Sequence, residues 1–348
     1  MDDFKIYDLD YKTVKLFKNC FDTNGSPKRQ ENIEWQFFDN TVSSCFVDIA
    51  YDEEQEQTAG IYAVSGVKFK VGSEEIIGTQ SLDTITDINY RGKGLFTVLS
   101  KSVYSKLINS GIGLVYGFPN GNSIHGFEKN LDWSVLDPVP FLIKPLKSKY
   151  FTNRIKAFNF LPNINLSFSK LKRSENFAIS EENSFPKEVN TIWERFSNNF
   201  EVAVVRDRDY LNWRYLKKPN EDYRIAHCHD QNNEYVGFVV FTTKEKHNGK
   251  IGYIMELIYD PSSSEAAKLL MNHAVTSIKN ESADCILAWC FEHSPSYNTF
   301  KKEFFVNMPE RMRPIELHFG ARCFNSDLKG QVYKRENWYI SYSDSDTV

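Results

Sequence analysis

The segment Asp83-Thr84-Ile85-Thr86-Asp87-Ile88-Asn89-Tyr90-Arg91-Gly92-Lys93-Gly94-Leu95-Phe96 concentrates residue types suited to holding an anion. Thr and Ile dominate its first six positions, as a strand requires. From Leu95 the apolar residues Leu95, Val98, Leu99, Val103 and Leu107 keep the spacing of one helical face. Asn109-Ser110-Gly111 predicts the end of that helix, with Gly111 suited to a left-handed cap. Two glycines therefore fall in a tight turn between a strand and a helix N-terminus. The unpaired N–H groups of a first helical turn and the positive end of its dipole favour a pyrophosphate. Glycines let the backbone approach it closely, and Arg91 and Lys93 add charge. The competing reading is an ordinary strand–helix turn with surface basic residues.

The segment resembles the acyl-CoA-binding loop of the GNAT acyltransferase superfamily, [Q/R]-x-x-G-x-[G/A] after the fourth strand. Arg91 and Gly94 match its two most diagnostic positions, while Phe96 replaces the final small residue. The resemblance continues through an expected fifth strand, 112–118, then Pro119-Asn120-Gly121-Asn122 and an expected helix, 123–130. It implies that acyl-CoA contacts Thr86, Arg91, Gly92, Lys93, Gly94, Leu95, Phe96, Asn120 and Phe127, with its acyl-pantetheine arm between splayed strands four and five. It also implies direct attack of an amine on the thioester, with a backbone N–H of strand four holding the oxyanion. Phe127 stands where the family usually has a Tyr that protonates the departing thiolate, and Ser123 and His125 are the nearby substitutes. On a regular strand Asp83 and Asp87 share one face and Gln80, Thr84 and Thr86 the other, unless a bulge intervenes. Because family bases often come from this strand, Asp83 is the first candidate base, Asp87 the second and His125 the third. For each carboxylate the alternative is a solvent-facing strand acid.

These residues need a scaffold, and the chain provides one twice. Trp35-Gln36-Phe37 and Gly60-Ile61-Tyr62 are echoed by Trp213-Arg214-Tyr215 and Gly237-Phe238-Val239; Leu114-Val115-Tyr116 and Phe127 are echoed by Ile286-Leu287-Ala288 and Phe300. Each half reads as helix, strand meander, then strand–turn–helix–strand–helix–strand. The expected class is α+β: two GNAT-like domains in tandem, each a mixed, mostly antiparallel sheet flanked by helices. The expected boundaries are 1–145 for the acyl-CoA domain, 146–180 for a basic, aromatic connector and 181–348 for a degenerate copy. In that copy the turn corresponding to Arg91–Phe96 is Asp260-Pro261-Ser262-Ser263-Ser264-Glu265-Ala266, without glycine or base. Asp260 would repel a phosphate and Ser264 reads as a helix N-cap. One CoA per chain is expected.

Composition narrows the class. A length of 348 residues suits two domains, and 42 Lys plus Arg against 46 Asp plus Glu gives a net charge of −4, which does not favour nucleic acid. No apolar run is long enough for a membrane span, and Met1-Asp2-Asp3-Phe4-Lys5 is unlike a signal peptide. Six cysteines without a CxxC pair read as reduced thiols of a cytoplasmic protein. No metal site is expected, since His227-Cys228-His229 lacks a third ligand. Ser341 to Val348 reads as a frayed or lightly docked tail.

The Trp-Arg-Tyr segment and the Asp-Ser-Asp-Thr run at 344–347 are similar to tandem acyltransferases of bacterial surface-polysaccharide synthesis. That resemblance implies an amino group on a nucleotide-linked deoxysugar as acceptor, with Trp35, Phe37 and Tyr215 as candidate stacking residues. The alternatives are an aminoacyl-tRNA-dependent ligase of the peptidoglycan-bridge type, with the basic 144–173 stretch on RNA, and a non-catalytic CoA-binding scaffold.

Overall fold

In the computed structural model, which describes residues 4–152, 160, 162–167, 169–345 and 347, the chain divides into two units, each with its own mixed sheet. The first comprises 1–138, 217–220 and 317–337; the second comprises 139–216, 221–316 and 338–348. Neither is a contiguous half. The expected boundaries at 145 and 180 shift because strand pairing is settled by partners far away in sequence.

The first unit runs β1 (Lys5–Asp8), α1 (Val14–Thr23), α2 (Gln30–Phe37), β2 (Phe46–Asp52), β3 (Gln57–Val71), β4 (Glu74–Thr86), α3 (Leu95–Asn109), β5 (Leu114–Gly117), α4 (Ile124–Leu131) and β6 (Ser134–Val135). Strands β1 to β4 form an antiparallel meander, and β5 joins β4 in parallel through the α3 crossover. A strand from much later in the chain, Gly320–Cys323, inserts between β5 and β6, antiparallel to both. Alternation along β3 gives each face of the sheet a core. Tyr62 and Val64 pack with Leu95, Leu99, Val103, Phe127 and Trp133 on the α3–α4 side. Ile61 and Ala63 pack with Phe17, Phe21, Ile33 and Phe37 on the α1–α2 side. Helix α3 buries Leu95, Leu99, Val103 and Leu107, four of the five expected apolar positions, and ends before Gly111, whose φ is +72°.

The second unit contains β7 (Phe141–Pro145), α5 (Lys149–Thr152), β8 (Phe177–Glu181), α6 (Val189–Ser197), β9 (Val202–Val204), α7 (Arg208–Leu211), β10 (Arg224–Asp230), β11 (Tyr235–Lys246), β12 (Gly249–Tyr259), α8 (Ser264–Asn280), β13 (Cys285–Trp289), α9 (Tyr297–Lys302) and β14 (Val306–Asn307); the inserted strand of the first unit is β15. Its sheet order is β14-β7-β13-β12-β11-β10-β8, with β12 and β13 parallel. This is the expected duplication: β11, β12, α8, β13 and α9 repeat β3, β4, α3, β5 and α4.

Two expectations change here. Part of the basic stretch is structural in this unit: the buried Lys144 ammonium donates to the Glu303 carbonyl, Lys172 pairs with Glu303 at 3.1 Å and Lys147 with Asp284 at 3.3 Å. Arg154, Lys156, Phe158 and Phe168 lie outside the described residues. Residues 341–345 of the expected loose tail are buried instead, for reasons given below. No helix among the described residues is long and apolar enough to cross a membrane.

Candidate functional site

The turn between β4 and α3 is built by left-handed glycines, Gly92 at φ +80° and Gly94 at φ +76°. A Cβ at either would meet nothing within 4 Å, so the space over the turn is open. Gly94 is the N-cap of α3 and no side chain caps that end, which leaves the first-turn N–H groups of a 15-residue helix facing outward. Arg91 and Lys93 are exposed beside them. Arg91 Nε lies 3.4 Å from the Thr86 carbonyl, and Lys93 Nζ sits 4.9 Å from the centre of the Tyr90 ring. Leu95 is buried as the first anchor of α3, and Phe96 packs edge-on against Phe127 at 5.1 Å. An aromatic at 96 is therefore accommodated by a second aromatic on α4.

Strands β4 and β5 pair only at Thr79–Ser81 with Val115–Gly117 and then diverge. The gap holds a cavity of about 170 Å³, with Ser81–Thr84 on one wall, Gly117–Asn120 on the other, and Ser123, Phe127 and Trp133 closing it. A buried polar chain fixes those walls. Ser81 Oγ donates to Tyr62 Oη (3.1 Å), the Tyr62 and Tyr104 hydroxyls bond each other (2.8 Å), and Trp133 Nε1 donates to Tyr104 Oη (2.8 Å). Burial pushes the Tyr62 phenol up to about 12, so it stays protonated and serves as a strut.

A bulge breaks β4 at the cavity. Ile61 pairs with Ile85 and Ala63 with Leu82, so Asp83 and Thr84 together oppose Tyr62. Asp83 takes φ +52°, a conformation costing a non-glycine residue roughly 1–2 kcal/mol. Its side chain, 6% exposed, pairs with Lys28 Nζ at 2.5 Å. The bulge also ends the face shared by Asp83 and Asp87 on a regular strand. Asp87 is buried and fully engaged: it accepts from Asn24 Nδ2 (2.8 Å), Gln57 Nε2 (3.0 Å) and the Asn89 N–H (2.9 Å). Asp87 caps the turn before Arg91 and does not line the cavity.

Asn120 lines the cavity, and its Oδ1 accepts the N–H groups of Asn122 (3.0 Å) and Ser123 (3.1 Å), starting α4. Phe127 is buried against Trp133 at 4.6 Å. His125 is exposed and outside the lining. The three stacking candidates are core residues: Trp35, Phe37 and Tyr215 are all buried, so none offers an open ring face. Tyr215 and Trp35 lie in different units.

In the second unit the matching turn is closed by its own carboxylate. Asp260 accepts from Ser262 N–H (3.0 Å) and Oγ (2.6 Å) and pairs with Arg195 at 2.6 Å. Burial would raise its pKa, but the Ser262 and Arg195 bonds hold it below the usual carboxylate range. The N-cap of α8 is Ser263, one residue before the expected Ser264. Strand β12 keeps a bulge near Met255 and parts from β13 after Ile254, yet the gap holds only about 10 Å³. Residues 338–345 fill it. Arg206 bonds Glu256 (2.9 Å) and Asp344 (2.6 Å), Ser341 Oγ donates to Glu256 (3.0 Å), Arg214 binds the carbonyls of Ser343 (3.0 Å) and Ser345 (2.9 Å), and Tyr342 stacks on Trp289.

Two residues bonded to the lining of the first cavity carry no local sequence signal. Lys28 reaches Asp83 from the loop between α1 and α2. His318 precedes β15 and lies opposite Pro119, its N–H bonded to the Pro119 carbonyl at 2.8 Å.

Residues 10–135 match the family model described as an acetyltransferase (GNAT) domain. No curated protein matches the chain in sequence. Among solved structures, the Saccharomyces cerevisiae N-myristoyltransferase with bound myristoyl-CoA is similar over 98% of this chain and 90% of its own, with 13% identity and a TM-score of 0.63. An Enterococcus faecalis protein described as a probable N-acyltransferase is similar over 94% of this chain and 74% of its own, with 13% identity and a TM-score of 0.64. At such identities the likeness is one of fold, and it spans both units. Residues 10–135 thus match a GNAT acetyltransferase domain, and the whole chain shares its tandem fold with these structures.

Proposed function

We propose that the first unit moves an acyl group from acyl-CoA to an amine, with the cofactor's pyrophosphate at Gly92–Phe96 and its thioester in the β4–β5 gap. The observation that carries this reading is the uncapped, left-handed Gly94 turn leading from the strand that also walls the open cavity. Thr86, Arg91 and Lys93 would flank the phosphates, and Asn120 and Phe127 the arm. The bulge at Asp83–Thr84 turns strand-four backbone toward the cavity, where an N–H would meet the developing oxyanion. Asp83 is the carboxylate that meets the acceptor, and its pairing with Lys28 marks a place where an ammonium is already accommodated.

For the acceptor we propose the amino group of a nucleotide-linked deoxysugar. Its support is the sequence resemblance to polysaccharide-pathway acyltransferases and the modest basicity of a sugar amine, which eases deprotonation beside an ion-paired Asp83. With Trp35, Phe37 and Tyr215 buried, nucleotide stacking gives this proposal no support.

Calorimetry with acetyl-CoA tests the reading. One site per chain is expected, and two equivalent sites or none would overturn it. A thermal-shift screen with nucleotide amino sugars then tests the acceptor, since a ligand at 100 times its Kd adds about 2.7 kcal/mol.

A further inference from the structure

We propose that the end of α9 in the second unit docks on an anionic lipid surface, with Phe304 as the inserting side chain and basic residues around it as a phosphate-binding rim. One residue of that helix end sits where the fold favours another. Helix α9 closes in a Schellman motif: the Phe305 N–H bonds the Phe300 carbonyl at 3.0 Å, and the Phe304 N–H bonds the Lys301 carbonyl at 3.0 Å. The Phe300 and Phe305 rings complete it, edge-on at 5.1 Å. The residue before Phe305 must then take a left-handed backbone, which favours glycine. It is Phe304, at φ +64°. A bulky side chain is strained there, and burial does not compensate, because Phe304 is 77% exposed. Lys144 Nζ lies 5.4 Å from the ring centre but is already held by the Glu303 carbonyl. The use of this ring therefore lies outside the chain.

The surroundings say what it meets. Val306, just past the buried Phe305, is exposed, and so are Lys301 and Lys302 in the last turn of α9. The segment 170–173 reaches the same helix end, because Lys172 Nζ pairs with Glu303 at 3.1 Å. It adds the exposed Lys170, Leu171 and Arg173. Residues 170–173 and 301–306 together hold five basic residues against one acid. That acid, Glu303, is buried and already paired with Lys172, so the exposed charge of the patch is of one sign.

An anionic bilayer offers the complement of this arrangement, phosphates for the basic rim and hydrocarbon just beneath for an exposed ring. A protein surface fits it less well, since lysine is depleted at protein–protein interfaces. The chain carries −4 overall, so attraction to anionic lipid has to come from a local patch such as this one. One ring and a few basic residues give reversible association, not stable anchoring.

The test sediments the full chain with vesicles of phosphatidylcholine alone or with one-third phosphatidylglycerol. Wild type should bind the anionic vesicles about tenfold or more tighter than the neutral ones, and added salt should release it. Phe304→Gly should weaken that binding by about tenfold or more, with a thermal midpoint unchanged or raised, because glycine relieves the left-handed strain. Phe304→Trp should keep the binding, and Lys301→Glu with Lys302→Glu should abolish it. Equal binding to both vesicles, or undiminished binding by Phe304→Gly, would overturn the proposal. So would a lowered midpoint in Phe304→Gly, which would assign the ring to covering Lys144. No binding of wild type to the anionic vesicles would overturn it as well and leave an acidic protein as the occupant to test.

Discussion

In the first unit β4 and β5 part after Ser81 and leave a cavity of about 170 Å³; in the second, β12 and β13 part after Ile254 and the gap is taken by residues 338–345. Both copies keep the bulge, the parallel crossover and the helix that follows it. They differ in what satisfies the polar groups such a gap exposes. Neither helix N-terminus has a side-chain cap, but the first unit leaves its glycine turn and its gap open. The second closes its turn with Asp260 and its gap with Tyr339, Ser341 and Tyr342, tied down by the buried Arg206–Glu256–Asp344 cluster. A duplicated scaffold can thus keep its geometry and lose its site by supplying its own anion and its own chain where a ligand would bind.

The comparison breaks most directly at the turns. Gly94→Asp should lower acetyl-CoA affinity at least 100-fold, because it places a carboxylate in the anion site and forces a non-glycine residue to φ +76°. Ser263→Asp, at the equivalent cap of α8, should leave that affinity unchanged by calorimetry. Equal losses would mean that both units contribute to binding.

Stability should be most sensitive in the other gap. Arg206→Met leaves Glu256 and Asp344 buried without their cation, and we expect a loss of about 3–5 kcal/mol, read as a large drop in thermal midpoint. A drop of only a degree or two would show that residues 338–345 are not integral to the second unit.

A smaller effect separates chemistry from binding in the first gap. Asp83→Asn should cut single-turnover acyl transfer by about 100-fold while acetyl-CoA affinity holds. Lys28→Met should leave that affinity unchanged as well, since Lys28 touches Asp83 and not the phosphate turn. Loss of CoA binding in Asp83→Asn would assign Asp83 to the bulge alone.

The smallest expected effect sits at Asp260. Because the fold depresses its pKa, its contribution is present above the unfolded carboxylate value and is lost as pH falls through the folded one. Asp260→Asn should lower the thermal midpoint at pH 7 by roughly 2–4 °C per kcal/mol lost. The difference from wild type should vanish as the pH drops below the usual carboxylate range.

Local features of this chain were legible because local physics decides them. The apolar spacing from Leu95 to Leu107 gave α3, Gly111 its end, and the Gly92–Gly94 pair its open turn. Asp260 without glycines marked the closed copy. What escaped depends on pairing across sequence distance. One extra residue in β4 turned Asp83 and Asp87 into residues with different surroundings, and alternation alone cannot place such a bulge. Trp35, Phe37 and Tyr215 read equally well as stacking or core residues, and burial makes them core. The acidic, polar run after Ser341 resembled a solvated tail because its partner Arg206 lies 138 positions earlier. His318 and Lys28 were missed for the same reason: neither belongs to a motif, and each meets a lining residue of the cavity, Pro119 and Asp83, only through the fold.

The insertion of β15 between β5 and β6 also sets a timetable for synthesis. The first unit's sheet has most of its strands once β6 has emerged, but the strand that inserts beside β5 begins at Gly320, about 185 residues after Val135. At roughly 5–20 residues per second on the ribosome, that is a wait of about 10–40 s. Throughout it the edge of β5 stands unpaired, a template for any other extended chain. Nascent copies on neighbouring ribosomes are therefore exposed to mispairing at this one edge, and slowing elongation between residues 140 and 317 should increase aggregation more than slowing it before residue 110.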